Sequence, residues 1–198
     1  MNEIIFYNDN HWFSPIGLKE NIASYDKECA LPNVFELGDN WDLANCALDM
    51  VPHVAEQRAK YKAIFGNRGI DGNHERESIT NDFILLAYGT KKVLMLHGDF
   101  ESWGPDKAIA YRSKPHGAST FKRLFTKTWN DFYDKYFNNK ITSDFLHRCQ
   151  MIALLKGADL VVVGHKHVKE SIRTNIGPIK IIVLARGRNV IDLNKELL

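Results

Sequence analysis

The chain has little of what marks several protein classes. It holds three cysteines in 198 residues, Cys29, Cys46 and Cys149, scattered and without a Cys-x-x-Cys pair. An odd, dispersed set argues against a disulfide framework and suits reduced thiols. No uninterrupted apolar run approaches the ~20 residues that a membrane span needs. No basic stretch leads into an apolar one at the start, so no secretory leader is expected and a cytoplasmic location is. Charge of one sign is lacking too. The formal net charge is +2, which by itself points neither to nucleic acid nor to a membrane surface. There is no internal repeat and no low-complexity segment.

What is present is ordinary for a globular chain: 44% hydrophobic and 25% charged residues, with enough length for one sizeable core. A single domain over residues 1–198 is expected. The sharpest stretch is Val161-Val162-Val163-Gly164-His165-Lys166-His167. Three valines read as a strand buried on both faces. Gly164 lets the backbone leave it. Side chains two apart on extended backbone point the same way, so His165 and His167 can reach one site. Ile4–Tyr7 reads as another buried strand and ends near Asp9 and His11, again two apart. A polar turn, which Asn and Asp favour, accounts for that pair as well. Val34–Leu37 is a third strand, followed by Gly38-Asp39-Asn40-Trp41-Asp42. Strands that stop at such residues fit an α/β sheet, whose sites lie beyond the carboxyl ends of its strands.

Residues 43–66 carry helical spacing, with Pro52 near an entry point and Gly66 as a stop. Two Gly-Asn pairs follow, Gly66-Asn67 and Gly72-Asn73. The second is preferred as the site, with Gly69–Asp71 as the strand leading in. The alternative makes Lys62–Phe65 the strand and Asn67 the site residue. Phe83–Tyr88, a Gly89-Thr90 turn and Lys91–Leu96 read as a hairpin ending in His97-Gly98-Asp99. Residues 101–156 show no strand signal. They are expected as two helices, around Leu124–Phe137 and Phe145–Leu155, forming a cap or insertion. Ile179–Leu184 and Asn189–Leu193 close the chain as strands.

Five blocks thus stand in order: Asp9-x-His11, Gly38-Asp39-x-x-Asp42, Gly72-Asn73-His74-Glu75, His97-Gly98-Asp99 and Gly164-His165-x-His167. In these the sequence resembles the calcineurin-like metallophosphoesterase superfamily. The resemblance implies an α/β fold, a four-layer α/β/β/α sandwich with two divalent metal ions at its top. It implies Asp9, His11 and His167 on the first ion, Asn73, His97 and His165 on the second, and Asp39 bridging them. Such donors suit Mn²⁺ first, and also Fe, Zn²⁺ or Co²⁺. No cysteine falls in a motif, so no thiolate zinc site is expected. Paired ions clamp a phosphate and activate a bridging water or hydroxide. His74 is implied as the catalytic group that lies over the ions and assists the leaving oxygen. Asp42 and Glu75 are expected to orient the ligands.

The expected activity is hydrolysis of a small phosphorylated substrate: a phosphodiesterase, pyrophosphatase or phosphatase. Asn40, Arg112 and His116 are expected to contact it, Arg112 through a bidentate guanidinium grip. Where protein serine/threonine phosphatases carry Asp-Arg-Gly, this chain has Asp42-Leu43-Ala44, which sets that subfamily aside. Leu94–Asp99 and Tyr111-Arg112 look more like the UDP-2,3-diacylglucosamine hydrolase branch. That branch usually has Gly-Asn-Arg-Asp where Gly72-Asn73-His74-Glu75 stands, a departure that argues against its lipid-precursor substrate. A nuclease of the same superfamily is the alternative, and it would favour an extended basic surface. A silent scaffold would have lost a ligand, and none is missing. A homodimer is left open.

Overall fold

Alternation along each strand decides which layer a side chain joins. The computed structural model describes residues 2–75, 82–123, 125, 128 and 141–197. Among these, β1 (Glu3–Asn8), β2 (Val34–Glu36) and β8 (Gly187–Asp192) form one sheet, in the order β2-β1-β8. β1 runs parallel to β2 and antiparallel to β8. The second sheet has the order β3-β4-β5-β7-β6, from β3 (Phe83–Tyr88), β4 (Lys91–Leu96), β5 (Leu160–Val168), β6 (Ile172–Ile176) and β7 (Ile179–Ala185). Its central strands β4, β5 and β7 are parallel, and its two edges are antiparallel hairpins.

The two sheets face each other. Ile4 and Phe6 of β1 meet Val93 and Met95 of β4, Leu160 and Val162 of β5, and Ile182 and Leu184 of β7 in one apolar layer. The intervening residues face outwards. Ile5 and Tyr7 join Tyr25 of α1 (Ile22–Glu28) with Val54, Tyr61 and Phe65 of α2 (Val51–Phe65). Leu94, Leu96, Val161, Val163, Ile181 and Val183 join Phe145, Cys149 and Ala153 of α5 (Ser143–Lys156). Helices therefore cover both outer faces, and the four-layer α/β/β/α sandwich expected from the sequence is the one observed. This is why the central strands are continuous apolar runs. Both faces are buried, and each buried Val or Ile contributes ~1.5–3 kcal/mol.

The helices start and stop where local chemistry dictates. Pro52 sits in the first turn of α2, and Gly66 ends it with φ of 52°. Thr142 Oγ1 accepts from Phe145 N to cap α5, and Gly157 closes it in the left-handed conformation. Two expectations are corrected. Lys62–Phe65 belongs to α2, and Asn67 stands exposed in the single turn Gly66–Arg68, so the alternative placing of the site there fails. Of the expected cap, α5 is not a cap at all but the outer layer of the larger sheet, with Phe145, Cys149 and Ala153 spaced four apart to pack there. The strand β6 is additional, a polar edge strand that the sequence does not announce. The expected helical positions Leu124, Trp129, Phe132, Tyr133, Tyr136 and Phe137 lie outside the described residues. Two short helices, α3 (Asp99–Trp103) and α4 (Pro105–Arg112), follow β4, and α6 (Leu193–Leu197) ends the chain. No helix among the described residues is long and apolar enough to cross a membrane.

Candidate metal centre

The motif residues gather at the carboxyl ends of β1, β2, β4 and β5, and their backbone is unusual. Asp9, His11, Phe13, Asp39, His165 and His167 all have positive φ, between 47° and 69°. For a residue with a side chain this left-handed conformation costs ~1–2 kcal/mol. Five of these six are expected metal ligands, and strain of this kind concentrates at functional sites. The finding also corrects the reason given for the paired histidines. His165 and His167 do converge, but the ladder with β7 loses register between Val163 and Val168, and the chain is not simply extended there. Close packing of the loops needs glycine. A Cβ on Gly38 would lie 2.4 Å from Gly72 N, and one on Gly72 only 2.2 Å from Asp39 Oδ1.

Three sets of donor atoms, each within 4.8 Å of one another, run through the site: Asp9, His11 and His167; His11, Asp39 and His74; and Asp39, His97 and His165. His11 Nε2 stands 3.0 Å from His167 Nε2, which is 3.7 Å from Asp9 Oδ1. His97 Nε2 stands 3.2 Å from Asn73 Oδ1 and 3.3 Å from Asp39 Oδ2. Asp39 belongs to two of the three sets. Two observations test whether these residues fit metal ions. Asp9 Oδ1 and His165 Nδ1 are buried and have no hydrogen-bond partner, a costly condition unless something else is bound. The 3.0 Å between the two imidazole nitrogens is also about the spacing of two donors that each reach one ion over ~2.0–2.1 Å. The donor set fits.

The outer atoms of the same side chains are held in place. Asp9 Oδ2 accepts from His165 N at 2.8 Å and from Asn8 Nδ2 at 2.7 Å. His97 Nδ1 donates to Leu37 O at 2.7 Å, which turns Nε2 inwards. Asp42 bridges two rings, 3.2 Å from His11 Nδ1 and 2.8 Å from His74 Nδ1, and takes the Asn45 backbone N–H at 2.9 Å. Such partners fix the tautomer and orientation of ligating rings. Asp39 Oδ1 accepts the His74 N–H at 2.6 Å.

Electrostatics sort the rings. Burial, aided by the neighbouring His74, lowers His11 to about 4. Burial and the nearby His97 hold His165 well below the ordinary histidine range. Burial works against a charge on His97 too, but the Asp39 carboxylate outweighs it and raises His97 to about 10. Burial likewise opposes a proton on His74, and the Asp42 charge overcomes it, so His74 lies well above the ordinary value. Neutral imidazole is the form that ligates metals, so an ion bound at His97 would displace the proton that Asp39 favours there.

Glu75 ties the loops together. Its Oε2 accepts from Asp39 N and Gly72 N, both at 2.7 Å, and its Oε1 from Trp41 N at 3.0 Å. The carboxylate thereby sets the backbone that carries Asp39. Glu75→Gln puts an amide donor against a backbone donor. It is expected to cost ~1–3 kcal/mol of stability, read by chemical denaturation, and to loosen the Asp39 loop. Unchanged stability would remove Glu75 from this role.

The expected substrate contacts are placed differently from the motif residues. Asn40 is fully buried and spent on the fold. It donates to Tyr7 O and Glu36 Oε1, both at 3.1 Å, and accepts from Asn10. It is not placed to meet a phosphate. Arg112 is buried as well, with Nε and Nη2 each 2.9 Å from the Asp99 carboxylate and Nη2 also on Asp71 O. Its fork is occupied by Asp99, so the expected bidentate grip on phosphate is not available, although Nη1 has no partner. Arg112→Ala leaves Asp99 buried without its charge partner. A loss of about 3–5 kcal/mol in unfolding free energy is expected, with equal loss of activity on large and small substrates. A substrate-dependent loss without destabilisation would restore the substrate role. His116 is half-buried, next to the backbone pairing of Gly117 N with Leu43 O, and stands in none of the donor sets. Three side chains at the site were not expected. Trp103 sets its ring 4.7 Å from that of His165 and 5.3 Å from Tyr111, and Tyr111 is 5.8 Å from His74. Asn45 Nδ2 lies 3.1 Å from His74 Nδ1. The Asp42-x-x-Asn45 spacing was the one available signal for Asn45.

Two facing sheets, outer helices, and a ring of Asp, His and Asn at the strand ends define a class: an α/β/β/α sandwich with a candidate metal centre at one end of its sheets. No family model matches the sequence, and neither does any curated protein. Among solved structures the chain is similar to Vps29 from Cryptosporidium parvum, with 12% identity, 93% of this chain and 74% of that one covered, and a TM-score of 0.49. It is similar to a predicted phosphoesterase from Streptococcus pneumoniae, with 16% identity, 96% and 83% coverage, and a TM-score of 0.47. It is also similar to Vps29 complexed with Zn²⁺ from Entamoeba histolytica, with 10% identity, 93% and 74% coverage, and a TM-score of 0.44. At these values none of them assigns a reaction or an ion to this chain. None supports the narrower resemblance to the UDP-2,3-diacylglucosamine hydrolase branch.

Proposed function

We propose that this chain is a metal-dependent hydrolase of phosphoric esters. Asp9, His11 and His167 would hold one divalent ion, Asn73, His97 and His165 a second, and Asp39 both. The observation that carries the reading is the pair of orphaned, buried donors, Asp9 Oδ1 and His165 Nδ1, set in a ring of histidines whose outer atoms are held. When bound, two such ions supply Lewis acidity to a phosphoryl oxygen and a reactive water at neutral pH. The rest falls to the chain's own groups. His74 Nδ1 donates to Asp42, so Nε2 is the atom left to hand a proton to a leaving oxygen. Trp103 and Tyr111 wall the side of the site nearest His165 and His74.

The test is a panel of a phosphomonoester, a phosphodiester and a pyrophosphate, offered to chelator-stripped protein before and after Mn²⁺ is returned. Hydrolysis of at least one class, lost on stripping and regained with the ion, is expected. Full hydrolysis by stripped protein, or none with any of Mn²⁺, Fe²⁺, Zn²⁺ or Co²⁺, would overturn the reading.

A further inference from the structure

The residue after His11 opens a second feature. Trp12, Phe13, Ile22, Met50, Lys19 and Arg123 line a cavity of about 590 Å³. That lies within the ~300–1,000 Å³ of small-molecule sites. Its described lining is apolar except for two cations, Lys19 and Arg123, with Ser14 as the uncharged polar group, and no described lining residue is acidic. Two cations on an apolar wall without an acid among them suit an anionic ligand.

The cavity wall is part of the loop that carries His11. Ser14 N donates to His11 O, and a Cβ on Gly17 would meet that same carbonyl at 2.4 Å. Arg186 braces both ends, donating to Asp9 O at 3.0 Å and to Ile16 O at 2.7 Å. Phe13 takes a left-handed backbone, φ 69°, and its ring stacks 6.1 Å from Trp41. A strained, braced aromatic beside a candidate ligand is a rigid wall.

We propose that this cavity binds the apolar, anionic arm of the substrate, with Arg123 and Lys19 on the charge and Phe13, Ile22 and Met50 on the apolar body. Its link to catalysis rests on the phosphoesterase reading, whereas the binding itself does not. The probe is naphthalene-2-sulfonate, an apolar body with one fixed anion. It is titrated into metal-stripped whole protein and followed by tryptophan fluorescence, with neutral 2-methylnaphthalene as control.

One saturable site is expected, with the neutral compound bound ~10-fold more weakly or worse. Arg123→Gln is expected to weaken the sulfonate by a similar factor and to leave the neutral compound unchanged. Ile22→Trp, which fills the cavity, is expected to remove both, and its far-ultraviolet dichroism checks that it folds. Equal affinity for charged and neutral probes, or binding that survives Ile22→Trp in the folded variant, would overturn the proposal. The two readings fail separately. Charge-dependent binding by protein that hydrolyses nothing on the panel retains the cavity as a ligand site and overturns the enzyme. Hydrolysis by protein that does not bind the sulfonate retains the enzyme and overturns the cavity.

Discussion

Asp39→Asn is expected to lower turnover by on the order of 10²–10³ or more and to reduce the content of both ions together. Asp39 belongs to two of the three donor sets, one with His11 and His74 and one with His97 and His165, with Oδ2 3.3 Å from His97 Nε2 and Oδ1 on the His74 N–H. The amide keeps one acceptor oxygen and loses the charge and the second acceptor. Asparagine is the right replacement because it tolerates the left-handed backbone found here, φ 54°, where most residues would add strain. The fold should therefore survive, and a change in ion content can be read as a change at the site. Metal analysis per chain and kcat on the best panel substrate are the measurements. Loss of one ion alone would show that Asp39 serves one cluster. Two retained ions with full turnover would refute the bridging assignment.

His74→Asn is expected to lower kcat by ~10²–10⁴, the range of a lost general acid, while the ions stay bound. His74 offers a donor atom within 4.8 Å of those of His11 and Asp39, so a ligand role is the competing assignment. Geometry separates the two. The His74 Nδ1 atom is held by Asp42 at 2.8 Å, whereas the His97 Nδ1 is held by a backbone carbonyl and its Nε2 faces Asn73 and Asp39. The variant also keeps the backbone N–H that supports Asp39. His97→Ala is the reference. An ion content as low in His74→Asn as in His97→Ala would make His74 a ligand.

Much of this architecture is legible in the sequence, for definite reasons. Val161–Val163 and Val93–Leu96 read as strands because both their faces are buried, which leaves an unbroken apolar run. Four of the five motif blocks are readable because each ends such a run, whereas Gly72-Asn73-His74-Glu75 follows only the isolated bridge of Gly69 to Glu36. Ile172–Ile176 is not readable. It is an edge strand facing solvent, and its Arg, Thr and Asn carry no periodic signal. The role of Arg112 is hidden for another reason. An arginine paired with Asp99 and an arginine paired with phosphate use the same chemistry, and the sequence does not say which anion is nearer. The left-handed turns at His165 and His167 are invisible as well, since nothing short of glycine advertises positive φ. The aromatic pair Trp103 and Tyr111 comes from two short helices whose angle no local pattern fixes.

The division of the site between the two sheets has a mechanical meaning. Asp9, His11 and Asp39 come from the ends of the smaller sheet, and His97, His165 and His167 from the ends of the larger one. Each donor cluster therefore takes members from both, Asp9 and His11 with His167, and Asp39 with His97 and His165. Neither sheet owns a complete donor cluster. The aliphatic layer between the sheets is largely Ile, Val and Leu, a contact that sets spacing more firmly than sideways alignment. A shear of one sheet over the other by a single side-chain width would take both clusters apart. The ring of candidate ligands is thus the gauge of alignment in the sandwich.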